Sequence, residues 1–487
     1  MFPKNVRDPV HGIIKFTDVE YKLLQHPILM RLHYIHQTNT AFLSYPAMKH
    51  TRLDHSIGVM HLAGRITRII LDQLNNKNYE ELFGKSKNDR EFFNKIIETM
   101  RLAGLLHDIG QGPFSHVSEV VMSEILSEDE KIEMQKLSLK THEYYSYRLV
   151  KKEIRELFDE WRVNINVNDI ASIISGKVEN DCEIINKNNL NLLRQVIVSQ
   201  LDADRMDYLM RDSYFSGEIY GTISIDRIIE NIVVYHKDNQ YQLALHYRAK
   251  SNIEDFIDAR YKMYKYVYFL QSVVNTDSTM RLFFLSKRME EDRKYLHYKY
   301  YKDNDKWTVN TDFGVLNRLT ESTNKEPWYC FIDRRYMPVP LWKRVKEFSD
   351  IFIDKYIERK KLVPSREDLI KDIIKTCKKG EKAEKIGEKF EEIGNEEILI
   401  ITDFGRSVKI YEAVREPIKL YFGENKPLID LKNVSPYVEQ LLQLEEGLQM
   451  PYIFYFIKGE TRNEAKRKKR KILDEVVSIM LDALLQS

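Results

Sequence analysis

The chain has 487 residues, with 76 Lys and Arg against 74 Asp and Glu, so its formal net charge is only +2. That length suffices for a large core and two or three domains, and that charge excludes wholesale polyanion binding while leaving room for local basic surface. Cys182, Cys330 and Cys377 form no CxxC, which excludes a disulfide framework and a cysteine zinc site; no stretch approaches the ~18 apolar residues of a membrane span, and the start, MFPKNVRDPVHG, lacks an apolar signal core, so the expectation is a cytoplasmic protein without a membrane partner.

Taken in order, RDPVHG followed by IIKF predicts a turn and a short strand. Residues 21–38 read as helix interrupted near Pro27. A loop, TNTAFLSYPAMKHTR, leads to a helix over 53–74 with Asp54 as its N-cap, carrying His55 and His61. Residues 96–110 form an apolar helix that ends in His107-Asp108 and breaks at Gly110-Gln111-Gly112-Pro113. A new helix near Ser115 carries His116 and Glu119, three apart on one face. Residues 141–161 predict one long amphipathic helix, and 167–176 and 190–213 two more. IIENIVVYH, DNQ and YQLALHY predict a β-hairpin, and 251–287 one long helix. Further on, the Lys/Glu-dense stretch 371–397 predicts a mobile or protruding segment. LIITDF, VKIYEAV and IKLYF are strand candidates, and a basic run from Lys466 to Lys471 opens a terminal helix with a solvated face. Boundaries near 290 and 395 divide the chain into 1–290, 291–395 and 396–487. The fold class is mainly α, with a small β-hairpin and a mixed α/β C-terminal region.

Four separated segments repeat one chemistry. Residues 52–58 read RLDHSIG, with Arg52 and His55 three apart; 107 and 108 are His-Asp; His142 opens a helix as THE; and 202–212 read DADRMDYLMRD. In the last, Asp204, Asp207, Tyr208 and Arg211 share one helical face. Imidazole and carboxylate are the ligand types of a catalytic divalent metal. Adjacent residues on a helix point about 100° apart, so His107 and Asp108 can share an ion only at a helix end or between helices. Taken alone, the pair also fits a capped or solvated helix end, and the 204–212 face a solvated, ion-paired surface. His26, His36 and His61 read as ordinary core or surface histidines.

Together RDPVHG, RLHYIHQ, HTRLDHSIGV, HDIGQGPFSH, THE and LDADRMDYLMRD, over residues 5–290, resemble the HD-domain superfamily. More narrowly they resemble the deoxynucleoside triphosphate triphosphohydrolases, including members that bear a sterile-alpha-motif domain. The resemblance implies a helical HD core and a metal-dependent hydrolase that attacks the α-phosphate, releasing nucleoside and intact triphosphate. It implies His55, His107, Asp108 and Asp204 as ligands of a divalent ion, with Mg, Mn, Fe, Zn and Co all admissible. It implies His116 as general acid, Glu119 as the group that orients it and favours its protonated form, and His142 near the phosphates. Arg52, Arg205 and Arg260 match phosphate-clamp positions. Gln37, Tyr208, Asp212 and Tyr268 match the sugar pocket.

The chain departs from that pattern at named points. Gln111 stands where the family commonly has a second histidine, at a position that touches phosphate; Thr38 replaces an apolar residue beside Gln37; Arg205 replaces Lys; and Arg7 replaces Asn before the HG turn. Gln25 and His33 occupy positions where animal members bind a guanine activator, so a guanine site of that form is not expected. The implied partners are a nucleoside triphosphate substrate and a homo-oligomer (dimer, tetramer or hexamer), with a nucleotide activator left open and nucleic acid not indicated. Two rivals stand beside this reading: an HD-type nucleotidase or phosphodiesterase on other nucleotides, and a nucleotide- or nucleic-acid-sensing protein with weak catalysis. A role in antiviral defence rests on family analogy alone.

Overall fold

The helices that position the site start at side-chain caps. Thr51 caps α1 (Arg52–Gln73): its side chain accepts from the Asp54 N–H, and the Asp54 carboxylate accepts the Thr51 N–H at 2.8 Å. The cap is therefore Thr51, with Asp54 the far partner of a capping box. Asp89 caps α2 (Arg90–Leu106), whose last turn runs straight into His107. α1 and α2 lie against each other, with Gly104 of α2 closing onto Val59 and Met60 of α1 and Gly64 of α1 onto Arg101 of α2. α3 (Thr141–Leu149) continues through a π-helical turn, Val150–Ile154, into Arg155–Trp161. The structure is a computed structural model and describes residues 4–237, 240–378, 380–393, 396–404, 410–412, 416–424, 426–446 and 451–485.

The single helix expected over 190–213 is two. Leu190–Arg194 ends early, and α4 (Ala203–Ser216) starts anew because Asp202 takes extended backbone, φ −104° and ψ 170°, and accepts the Arg205 N–H at 2.7 Å. That restart aims Asp204 from the first turn of a helix. The run 251–287 is also divided, into α5 (Lys250–Met263), a π-helical turn Tyr264–Tyr268, and Gln271–Leu285. Around His116 the backbone forms only short pieces, Ser115–Val117 and Glu119–Met122.

Two compact units result. The first comprises residues 1–263, 290–315 and 410–441. It holds the N-terminal hairpin Lys4–Asp8/Gly12–Phe16 and the expected hairpin Ile232–Lys237/Gln240–His246, extended by Lys419–Tyr421 and Ile429–Asp430 into a four-stranded sheet. Part of VKIYEAV lies outside the described residues, and 410–412 is not strand. The sequence boundary at 290 falls inside this arrangement, because Asp312 accepts the Phe114 N–H of the loop after Asp108, and the Asn310 carbonyl accepts from Arg31, which also donates to the Ile109 and Gln111 carbonyls.

The second unit comprises 264–289, 316–409 and 442–487. Its sheet runs Val339–Pro340, Tyr452–Ile457, Ile398–Asp403, and the central strand is buried throughout, as its unbroken apolar sequence YIFYFI requires. Trp342, Phe348 and Phe352 fill the core beneath. The Lys/Glu-dense segment folds here as Arg366–Lys378 and Glu381–Glu392 rather than protruding. Leu369, Ile373, Cys377, Ile386 and Phe390 recur at helical spacing amid the charges and reach the same core. No helix among the described residues is long and apolar enough to cross a membrane.

Candidate metal centre

His55 on α1, His107 and Asp108 at the end of α2, and Asp204 at the start of α4 converge in the first unit. His55 Nε2 lies 3.1 Å from Asp204 Oδ1 and 3.9 Å from Asp108 Oδ2; His107 Nε2 lies 3.6 Å from Asp108 Oδ2 and 4.0 Å from Asp204 Oδ1. The two rings meet edge to face with centroids 5.3 Å apart. Three of the four groups, His55, His107 and Asp108, place ligand atoms within 4.8 Å of one another. Asp204, 34% exposed at its side chain, forms the open side.

The tautomers follow from the partners. His107 Nδ1 sits 2.7 Å from the Gly104 carbonyl, which can only accept, so Nδ1 carries the proton. His55 Nδ1 donates to Asp207 Oδ2 at 2.8 Å. Both Nε2 atoms are buried; that of His107 has no hydrogen-bond partner, and that of His55 meets only Asp204 Oδ1, at 3.1 Å. Two buried imidazole nitrogens converging on two carboxylates need a cation among them, a proton on His55 or a metal ion shared by all four groups. The donor set therefore fits a divalent metal, and two imidazoles with two carboxylates suit Mn, Fe, Co, Zn or Mg.

Asp207 is the hub behind His55, although only its helical face is legible in the sequence. Its carboxylate accepts from His55, from His11 Nε2 at 2.6 Å, and from Arg211 Nε and Nη2 at 2.9 and 2.8 Å. Arg211 Nη1 reaches Asp8 Oδ2 at 2.8 Å, and Asp8 caps its own turn by accepting the Val10 and His11 N–H groups. RDPVHG thus acts at a distance, holding the group that holds the ligand. Burial opposes ionisation of Asp207, yet Arg211, His11 and His55 keep its carboxyl well below the usual range. Gly58 makes the contact sterically feasible: a Cβ there would stand 1.8 Å from Asp207 Oδ1.

Beside the candidate metal ligands, Glu119 Oε1 joins two imidazoles, His116 Nδ1 at 2.6 Å and His142 Nδ1 at 2.7 Å. His142 is buried, and its Nε2 lies 4.0 Å from Asp108 Oδ1. Burial opposes its charge, but Glu119 and Asp108 raise its pKa above the ordinary histidine value. Glu119 is held well below the usual carboxyl range against burial by the same two histidines. His116 is the accessible member, with its side chain 56% exposed. Gly110 brings the loop against α3, since a Cβ there would lie 2.4 Å from the His142 carbonyl oxygen.

The remaining expected site residues are placed as follows. Arg52 turns inward: Nη1 donates to Asp108 Oδ2 at 2.5 Å, Nε to Ser115 Oγ at 2.8 Å, and Nη2 to the Gln37 carbonyl at 3.3 Å. Arg205 donates to the Ser199 carbonyl and to Asp202. Gln37 Oε1, Thr38 Oγ1 and both side-chain heteroatoms of Gln111 are buried without partners. Asp212 takes His50 Nε2 at 2.6 Å, a pair that rests on Phe215. Tyr208 is half-buried on α4 and Arg260 buried on α5. Tyr268 falls in the second unit, edge to face with Tyr264 at 5.0 Å.

Residues 52–212 match the model of the HD domain, and all four candidate ligands and the His116–Glu119–His142 cluster fall inside that span. This part of the chain resembles an HD domain in sequence. The chain is 31% identical over 300 residues to an uncharacterized protein of Mycoplasma genitalium, covering 60% of this chain and 62% of that one. It is 28% identical over 279 residues to an uncharacterized protein of Methanocaldococcus jannaschii, covering 57% of this chain and 48% of the other. Similarity extends to the human deoxynucleoside triphosphate triphosphohydrolase SAMHD1, at 24% identity over 277 residues, 54% of this chain and 41% of that enzyme. These matches span from 41% to 62% of the relatives' own lengths. A crystal structure of a hypothetical protein from Aquifex aeolicus shares the fold, with a TM-score of 0.63, 21% identity, and coverage of 97% of this chain and 99% of that one.

Proposed function

We propose that the protein is a metal-dependent phosphohydrolase that cleaves nucleoside triphosphates at the α-phosphorus, releasing nucleoside and intact triphosphate. The observation that carries the reading is the convergence of the buried Nε2 atoms of His55 and His107 on the carboxylates of Asp108 and Asp204. A divalent ion held there supplies Lewis-acid polarisation of a phosphate oxygen and of the attacking water. The chain's own groups do the rest. His142, favoured in its charged form, sets a cation beside Asp108 for a phosphate oxygen. His116, with Nδ1 held by Glu119, offers the proton on Nε2 to the leaving 5′ oxygen. Gln37 and Thr38, buried with unpaired oxygens, suit the hydroxyls of a sugar. Similarity to the deoxynucleoside triphosphate triphosphohydrolases supports the deoxy form as substrate.

One observation favours a second reading, an HD-type nucleotidase or phosphodiesterase. Arg52 and Arg205, two of the three expected clamp arginines, are paired with Asp108 and Asp202, which leaves less positive charge for three phosphates. The test is product analysis. Purified protein is given each dNTP and NTP, singly and in pairs, and each mono- and cyclic nucleotide, with Mn or Mg. Nucleoside plus triphosphate supports the first reading; nucleoside monophosphate plus pyrophosphate, or turnover only of mono- or cyclic nucleotides, supports the second. If nothing is consumed under any pairing, both readings fail.

A further inference from the structure

The loop between the two catalytic clusters is held in a disfavoured shape. Phe114 and Ser115 are consecutive, neither is glycine, and both have left-handed backbone, φ 53° and 51°. A bulky residue keeps that conformation only where its surroundings impose it. Phe114 is fully buried, and its N–H donates to Asp312 Oδ1 at 2.5 Å. Asp312 lies outside the HD segment, in the 290–315 part of the first unit. Its other oxygen, Oδ2, accepts the His36 N–H at 2.8 Å and faces His36 Nδ1 at 2.6 Å.

From that anchor a continuous route leads to the ligand. Ser115 Oγ donates to the His36 carbonyl at 2.7 Å and accepts from Arg52 Nε at 2.8 Å. Arg52 Nη1 then donates to Asp108 Oδ2, the oxygen that faces both His55 and His107. His36 also bridges to Thr51, the cap of α1, and precedes Gln37. One buried carboxylate therefore sets the bend leading to His116, the register beside Gln37 and, through Ser115 and Arg52, the position of Asp108. Asp312 is 1% exposed and has no solvent role to explain it.

We infer that Asp312 is a positioning residue of the metal centre, supplied from outside the HD segment, and that it acts through His36, Ser115 and Arg52. The inference rests on the metal-site part of the proposed function and is independent of the substrate. Its test is Mn(II) binding to the full chain, with exchange of the Phe114 amide and the melting temperature followed in parallel. Asp312→Ala frees the Phe114 amide to exchange and lowers Mn(II) affinity by about tenfold or more, as loss of groups supporting a ligand does. Asp312→Asn, which keeps one acceptor for Phe114, shows a smaller loss. Ser115→Ala deletes one hydroxyl in the middle of the route and lowers Mn(II) affinity in the same direction, which serves where Asp312→Ala does not fold. The double variant Ser115→Ala/Asp312→Asn loses less than the product of the two single effects. Mn(II) affinity unchanged in folded Asp312→Asn and Ser115→Ala, or a fully multiplicative double variant, overturns the inference. Absence of nucleotide turnover in a wild-type protein that still binds Mn(II) would instead refute the hydrolase reading and leave this one standing.

Discussion

Gly58→Ala tests whether the network behind His55 matters. The added Cβ would stand 1.8 Å from Asp207 Oδ1, 2.6 Å from Asp207 Cγ and 2.6 Å from Arg211 Nη2. Ordinary contact distances are about 3.5 Å, so the carboxylate must retreat by roughly 1.5 Å. It cannot do so and keep its bonds to His55, His11 and Arg211, which run from 2.6 to 2.9 Å. Breaking a buried ion pair in this way costs about 3–5 kcal/mol. Glycine to alanine within a helix otherwise gains about 1 kcal/mol, so the two effects have opposite signs and the net loss is about 2–4 kcal/mol. His55 also loses the acceptor that fixes its tautomer, and metal affinity falls by about 10–100-fold. Thermal melting of the metal-free chain and Mn(II) titration read the two effects separately. A Gly58→Ala variant that melts higher than wild type and binds Mn(II) equally well would refute the reasoning.

Three further outcomes are expected. Burial would lower the His55 pKa, but Asp204 and Asp207 outweigh it and raise it to about 9, so the metal-free imidazole is protonated at neutral pH. A metal must expel that proton, and Mn(II) affinity should climb about tenfold per pH unit below 9, with about one proton released by calorimetry; a flat profile contradicts this. His116→Ala should lower kcat by about 10²–10⁴-fold at unchanged Mn(II) affinity, whereas His107→Ala should abolish Mn(II) binding, and equal metal affinities in the two variants would undo the division of roles. His61 is pushed down to about 4, by burial first and then by His11, Arg65 and Arg101. A folded value below the unfolded 6.5 means its contribution is present above about 6.5 and lost as pH falls toward 4, so His61→Gln should reduce the drop in melting temperature over that range.

The candidate metal ligands were legible in the chain because the chemistry is local. His107-Asp108 before a Gly/Pro break, His55 within RLDHSIG, and Asp204 within DADRMDYLMRD each carry the right ligand type at a helix end or on a helix face. The His116–Glu119 contact followed from i, i+3 spacing alone and stands at 2.6 Å. Helix lengths were less legible. Nothing in the apolar pattern marks where 190–213 stops and restarts; the break comes from Asp202 capping a new helix.

What the amino-acid sequence determined by itself is the inventory and the order: a mainly helical chain, a hairpin at 232–246, and four segments bearing imidazole and carboxylate. Periodicity and capping act over a few residues, so they can be read from a few residues. Only the tertiary structure decided who serves whom. Asp207, Arg211, Asp8 and His11 lie up to 203 residues apart and become one network behind His55 only when the hairpin turn meets α4. Arg52 looked free to meet phosphate, but folding set it against Asp108, because a buried carboxylate among imidazoles draws the nearest cation. Asp312, in a charged stretch with no motif, became the partner of the Phe114–Ser115 bend: a strained bend needs a partner, and folding decides which residue supplies it.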